Sequence, residues 1–180
     1  VAISIEDRRG PEWQQTAARL EPGKIRHLHG RRLREYSPEE LGRSDLATDV
    51  YGGFSYTADL SRFMENILAL LKTGGSFHTL LINVQPEQWS GRAEAAFQTA
   101  VFAADGSPLK ICAWLRNIGC VEVRCAADPR SETPIERYRI RKTCDTVRVP
   151  ALEALQFAPG TPPARQFRVA GGGAAATAAH

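Results

Sequence analysis

The sequence predicts an α/β fold, with a mostly parallel sheet and helices on both faces. Three observations predict it. Residues 44–84 parse as strand, loop, helix, tight turn and strand, and the crossover has the length that a parallel pair needs. The second strand of that unit carries Phe77, Leu80, Leu81, Ile82 and Val84, apolar enough to be covered on both faces. An apolar run at residues 1–5 is followed by a helical pattern, which repeats the strand–helix order nearer the start.

Taken in order, residues 1–5 (VAISI) are a β-branched run that stops at Glu6-Asp7. Pro11 suits the first turn of a helix, and Trp13, Ala17 and Leu20 mark one face of it. On the residues alone, Glu6 and Asp7 read as solvated acids near a helix start. Residues 24–30 (KIRHLHG) read as a short strand at or near a sheet edge. His27 and His29 flank Leu28 and share a face, but with no third ligand at a recognisable spacing they are not read as a metal site. Arg31 and Arg32 follow, and Ser37 with Glu40 forms a capping-box pattern.

The central unit enters its first strand through Asp45, continues with Leu46, Ala47 and Val50, and breaks at Gly52-Gly53. Thr57 or Asp59 caps the next helix, because a side-chain oxygen there satisfies a free backbone N–H. Leu60, Phe63, Met64, Ile67, Leu68 and Leu71 recur at steps of three and four along it. Lys72-Thr73-Gly74-Gly75 ends it, with a glycine for the left-handed C′ position. Pro86, Trp89 and Gly91 mark a loop, and residues 92–104 (RAEAAFQTAVFAA) are rich in helix formers. Asp105-Gly106 is a turn, and a further apolar helix runs from Ser107-Pro108 to Gly119. A strand begins at residues 121–123, and residues 128–134 are a loop. Residues 136–143 alternate, with Tyr138 and Ile140 inward and Arg137, Arg139 and Arg141 outward. The domain is expected to span 1–150, with an extended segment at 151–170 and a flexible low-complexity tail at 171–180.

Length and composition suit one domain with a real core: 180 residues, 43% hydrophobic and 24% charged. A net charge of +3 requires no polyanionic partner. No apolar run approaches the roughly 20 residues of a membrane span, and no leader is visible. The four cysteines form no Cys-x-x-Cys pair and read as reduced thiols, which fits cytoplasmic residence.

Two motifs in the central unit, Asp45-Leu46-Ala47-Thr48-Asp49-Val50-Tyr51-Gly52 and Leu70-Leu71-Lys72-Thr73-Gly74-Gly75, resemble the fourth strand and the turn into the fifth strand of class I S-adenosylmethionine-dependent methyltransferases. Thr73 stands where that family has proline. Residues 107–123 are similar to the family's last helix and sixth strand, and residues 136–143 to its antiparallel seventh strand. The resemblance covers about residues 1–145 and implies a Rossmann-like sheet of order 3-2-1-4-5-7-6, mostly parallel with an antiparallel last strand.

The resemblance implies S-adenosylmethionine as cofactor and an unidentified methyl acceptor: small molecule, protein or RNA. It places Glu6, with Asp7 next, at the ribose, since a carboxylate accepts two hydrogen bonds from a cis-diol. Arg31 and Arg32 fall in the segment that passes the adenine, where the family often has an acid. Asp49, Val50 and Tyr51 fall where cofactor and substrate meet, and Phe54, Ser55 and Tyr56 shape the pocket. The family's Gly-x-Gly-x-Gly turn has no counterpart before Asp45, so upstream residues carrying a first strand are expected. Without that strand, 180 residues are expected to be unstable or differently paired, at roughly 1 to 3 kcal/mol per buried unsatisfied backbone group. Two other readings follow from the departures: a cofactor-free binding or scaffold protein, and an RNA-binding domain using the Arg137, Arg139 and Arg141 face. A homo-oligomer is compatible with all three.

Overall fold

The computed structural model describes residues 1–22, 24–50, 52–82, 99–127, 135–157 and 165–171, without the side chains of Ile82, Gln156 and Phe157. The chain divides into two compact units, residues 1–43 and 44–180.

In the first unit, β1 (Ala2–Ile3) pairs in parallel with β2 (His27–Leu28), and α1 (Pro11–Ala18) connects them. Pro11 opens α1 as expected. Both strands are much shorter than their apolar runs. Backbone bonds extend the contact slightly, from Ser4 N to Leu28 O at 3.1 Å and from Gly30 N to Ile5 O at 2.9 Å. A 3-10 turn (Leu33–Glu35) leads to α2 (Pro38–Leu41). The capping box forms: Glu40 N donates to Ser37 Oγ at 3.2 Å, and Ser37 N donates to Glu40 Oε2 at 2.8 Å.

The second unit opens with the expected βαβ. β3 (Ser44–Asp49) leads through α3 (Gly53–Tyr56) and α4 (Leu60–Leu70) to β4 (Leu71–Ile82), which lies parallel to β3. Asp59 caps α4, its Oδ1 accepting from Arg62 N at 2.9 Å, and Asp59's own N–H donates to Thr57 Oγ1 at 3.1 Å. Leu60, Met64, Ile67 and Leu68 are buried along one face of α4, each worth about 1.5–3 kcal/mol of burial. The chain turns directly from helix into strand at Leu71. Gly74, at φ +89°, is therefore not a helix cap; it serves the irregular start of β4, where the register with β3 shifts.

After β4 the described elements are β5 (Thr99–Phe102), β6 (Pro108–Leu109), α5 (Ile111–Arg116), β7 (Val121–Ala127), β8 (Ile135–Lys142), β9 (Leu152–Phe157) and β10 (Arg165–Val169). They complete two four-stranded sheets, β3-β4-β8-β7 and β6-β5-β10-β9. The expectation of one mostly parallel Rossmann-like sheet is wrong. Among the described residues three small sheets replace it, and of their seven pairings three are parallel and four antiparallel. The reason is connection length. A parallel neighbour needs a crossover of about a dozen residues, whereas only five to seven residues separate β5 from β6, β7 from β8 and β9 from β10. β1–β2 and β3 belong to separate sheets, and among the described residues β3 is a sheet edge.

Two helices also differ from expectation. Thr99–Phe102 is a strand, buried at three successive positions, where residues 92–104 read as a helix; residues 92–98 lie outside the described residues, as does the loop expected at 85–91. Burial on both faces, not helix propensity, decides that segment. Asp105 Oδ1 accepts from the Ser107 N–H at 2.9 Å and from its hydroxyl at 2.6 Å, which holds a turn and delays the next helix to Ile111. The extended segment expected at 151–170 supplies β9 and β10, while the tail beyond residue 171 lies outside the described residues.

The core of the second unit holds Phe54, Leu60, Met64, Leu68, Leu71, Phe77, Leu81, Trp114, Leu115 and Ile140. The Trp114 indole donates to Pro150 O at 3.1 Å, so its polar atom is satisfied. The expectation of four reduced thiols fails: Cys112–Cys125 and Cys120–Cys144 are disulfides, with Cα separations of 6.2 and 5.2 Å. Sequence spacing could not pair them, because α5, β7 and the end of β8 meet only in the fold. In the chain-entropy picture each closure contributes about 3 kcal/mol.

Candidate functional site

Asp49 lies at the carboxyl end of β3, the edge strand. Its carboxylate turns back over the start of α3, where Oδ2 accepts the Phe54 N–H at 2.7 Å and the Gly53 N–H adds a second bond. This geometry dictates the glycine pair. A Cβ on Gly52 would collide with Asp49 Oδ1, and one on Gly53 would collide with the Phe63 ring. Phe54 is fully buried, and its ring meets Phe63, Phe77 and Tyr138 with centroids 6.0–6.1 Å apart.

A charge reaches this corner from the second sheet. Arg165, on β10, is almost wholly buried. Its Nη1 donates to Thr57 O at 2.9 Å, and its Nε and Nη2 donate to Thr99 Oγ1 at 3.1 and 2.6 Å. Burial pushes the Asp49 carboxyl up; the Phe54 and Gly53 N–H groups and then the Arg165 charge oppose that. Burial likewise lowers Arg165 to about 10, against the attraction of Asp49. Arg165 thus ties the end of α3 to β5 through Thr57 O and Thr99 Oγ1, and its charge favours the ionised form of Asp49.

The other expected site residues fall as follows. Val50 is 64% exposed at the end of β3, and Tyr51 lies outside the described residues. Glu6, Asp7, Arg31 and Arg32 belong to the first unit. Glu6 pairs with Arg8 at 2.8 Å, with both side chains about 70% exposed, so the carboxylate is readily exchanged to another partner. Asp7 is held more firmly: Arg9 donates to Oδ1 at 2.8 Å and to Oδ2 at 2.6 Å, and this keeps the carboxyl well below the usual range. The fold also brings Asp7 to His27 and His29, at 3.8 and 3.7 Å, which supplies the third group that the sequence pattern lacked. The Arg9 guanidinium occupies both oxygens, so the cluster is an Arg9–Asp7 ion pair with two imidazoles beside it. Arg31 donates to Glu40 Oε1 at 2.9 Å and lies 3.9 Å over the Tyr36 ring, and the Arg32 N–H caps onto Glu35. These contacts brace the turn and α2.

The outward arginines of β8 are where the alternation placed them, and their cross-strand neighbours extend the charge. His78 of β4 stands opposite Arg139, and Arg139 stands opposite Arg124 of β7, all three exposed. Arg141 is partly neutralised by Glu122 at 3.5 Å. Between α4, β8 and the chain after it, a cavity of about 160 Å³ is lined by Glu65, Leu68, Lys142, Asp145 and Val147. That is below the range of roughly 300–1,000 Å³ that small-molecule sites occupy.

Sequence reasoning missed two buried cations. Lys142 directly follows the exposed Arg141, and its ammonium turns in to Leu68 O and Leu71 O, both at 3.0 Å, and closes the end of α4. The register offered a signal, since Lys142 follows Tyr138 and Ile140 at the inward spacing. Arg165 offered none that distinguished it from exposed Arg168. No protein-family model matches the sequence, and a comparison with curated proteins finds no match. No helix among the described residues is long and apolar enough to cross a membrane.

Proposed function

We propose that this chain acts in S-adenosylmethionine-dependent methyl transfer. The observation that carries the reading is the parallel β3–α4–β4 unit, with Asp49 folded over a Gly52-Gly53 turn at the carboxyl end of β3. Ligands of open α/β units gather at such strand ends. The neighbouring strands add support narrower than a continuous parallel sheet. In β3-β4-β8-β7, only β8 runs against the other three, which matches the family's 4-5-7-6 run in order and polarity.

In this reading Glu6 accepts the ribose hydroxyls, because its partner Arg8 is exposed and exchangeable while Asp7 is locked by Arg9. Asp49 holds the turn that follows β3, with Val50 exposed beside it. The methyl group passes from sulfonium to acceptor by in-line displacement, where placement of the two reactants supplies most of the rate. Calorimetric titration with S-adenosylmethionine tests the reading.

A second reading concerns the acceptor. The row of His78, Arg139 and Arg124 sets two guanidinium groups and an imidazole in register across three strands and favours a phosphate-bearing acceptor such as RNA over a neutral one. Cytoplasmic action belongs to the same proposal, but it no longer has the support of four reduced thiols, and the two disulfides favour an oxidising compartment.

A further inference from the structure

Cys112, Cys125 and Glu136 converge where α5, β7 and β8 meet. The two sulfurs and a Glu136 carboxylate oxygen all lie within 4.8 Å of one another. Cys112 is buried, and the other two residues are half-buried. The pair of cysteines comes from a helix and a strand whose Cα atoms stand 6.2 Å apart. That spacing serves a disulfide, and it also brings two thiolates onto a single ion. Zinc takes thiolate sulfur at about 2.3 Å and carboxylate oxygen at about 2.0–2.2 Å, so tetrahedral donors stand roughly 3.4–3.8 Å from each other. Glu136 is already oriented: Tyr138, buried beside it on β8, donates to Oε2 at 2.6 Å. An outer hydrogen bond of this kind is what fixes a ligating carboxylate.

We propose that the reduced protein binds one zinc-like divalent ion through the Cys112 and Cys125 thiolates and the Glu136 carboxylate, with water in the fourth position. The disulfide and the metal are then alternative states of one site. The exchange balances simply. A dithiol reductant gives two electrons and two protons to the Cys112–Cys125 bond and itself becomes a disulfide. The two thiols then lose their protons as the ion binds. Soft sulfur donors select zinc and its transition-metal neighbours over magnesium and calcium. The second bridge, Cys120–Cys144, has no such carboxylate within reach among the described residues. It closes the ends of β7 and β8.

Cobalt(II) titration of the full chain, oxidised and phosphine-reduced, tests this, because cobalt reports its ligands by colour. The reduced protein is expected to take up one equivalent, with a thiolate-to-cobalt charge-transfer band and tetrahedral d–d bands that zinc abolishes; the oxidised protein should show neither. Glu136→Gln, which keeps the side-chain volume, should retain the charge-transfer band, shift the d–d bands and weaken binding about tenfold or more. Cys112→Ser with Cys125→Ser should remove the charge-transfer band, and Cys120→Ser with Cys144→Ser should keep it. The proposal is overturned if the reduced wild-type chain binds no cobalt, if the signal follows Cys120 and Cys144 instead, or if Glu136→Gln leaves spectrum and affinity unchanged. It is overturned equally if reduction abolishes the near-ultraviolet circular dichroism, since the fold would then not present the site.

Discussion

Gly52 lies so close to the Asp49 carboxylate that any β-carbon there would collide with Oδ1. The close approach lets Asp49 reach the Phe54 N–H, and it ties the end of β3 to the start of α3. Gly52→Ala should therefore destabilise the protein by about 1–3 kcal/mol, the usual cost of forcing atoms into a packed corner. Urea unfolding measures this directly, and an unchanged midpoint would mean that the corner is slack.

Arg165 and Asp49 should be energetically coupled although no hydrogen bond joins them. Arg165→Met removes three donated bonds and leaves a half-buried carboxylate without its countercharge, a loss of about 3 kcal/mol or more. Asp49→Asn keeps an oxygen for the Phe54 N–H. The double mutant should be less destabilised than the sum of the singles by about 1 kcal/mol. Additive effects would show that the two charges do not sense each other.

Lys142→Met keeps most of the buried stem but removes the ammonium from Leu68 O and Leu71 O. The carbonyls at the end of α4 are then left without that donor, at about 1–3 kcal/mol. Arg139→Met, one position from the inward register and exposed, should change stability by less than about 0.5 kcal/mol. The contrast between the two, measured in the same unfolding series, checks the inward register.

Two acids titrate with opposite consequences. Asp7 is held low by its hydrogen bonds from Arg9, so its stabilisation is complete above the unfolded value of 3.8 and is lost as pH falls through the lowered one. Asp49 is raised by burial, so it favours the folded state below 3.8 and that contribution is lost as pH climbs through its raised value. Asp7→Asn should flatten the acid limb of stability against pH, and Asp49→Asn should flatten the loss on the neutral side. Unfolding midpoints from about pH 7 down to about pH 2 separate the two.

What the sequence disclosed follows from how local each signal was. The α4 stripe, the Asp59 cap, the Ser37–Glu40 box and the Arg137–Arg141 alternation depend on residues a few positions apart, and each forms as read. The sheet did not follow, because strand order is set by connection length and by which edges meet. The short returns before β6, β8 and β10 made antiparallel pairs that apolar content could not foretell. The same holds for the cysteines, brought together by α5 packing on β7, and for Arg165, which meets Thr57 and Thr99 across long sequence distances. In the candidate site the type and place of Asp49 were legible, but the inward turn of its carboxylate was not.

If the exposed cations serve RNA, binding to a single-stranded oligonucleotide should weaken steeply with salt, and Arg139→Ala should lower the slope by about one unit. Binding that ignores salt, or no binding at low salt, would remove the phosphate-bearing acceptor while leaving the cofactor question open.

The central claim is cofactor binding, and calorimetric titration of the folded, monodisperse protein with S-adenosylmethionine tests it most directly. Micromolar affinity is expected, abolished by Glu6→Ala and largely kept in Asp7→Ala, because Arg9 already holds the Asp7 carboxylate. Absence of heat from a well-folded sample would contradict methyl transfer and turn attention to a binding or scaffold role; binding that survives Glu6→Ala would contradict the ribose assignment alone.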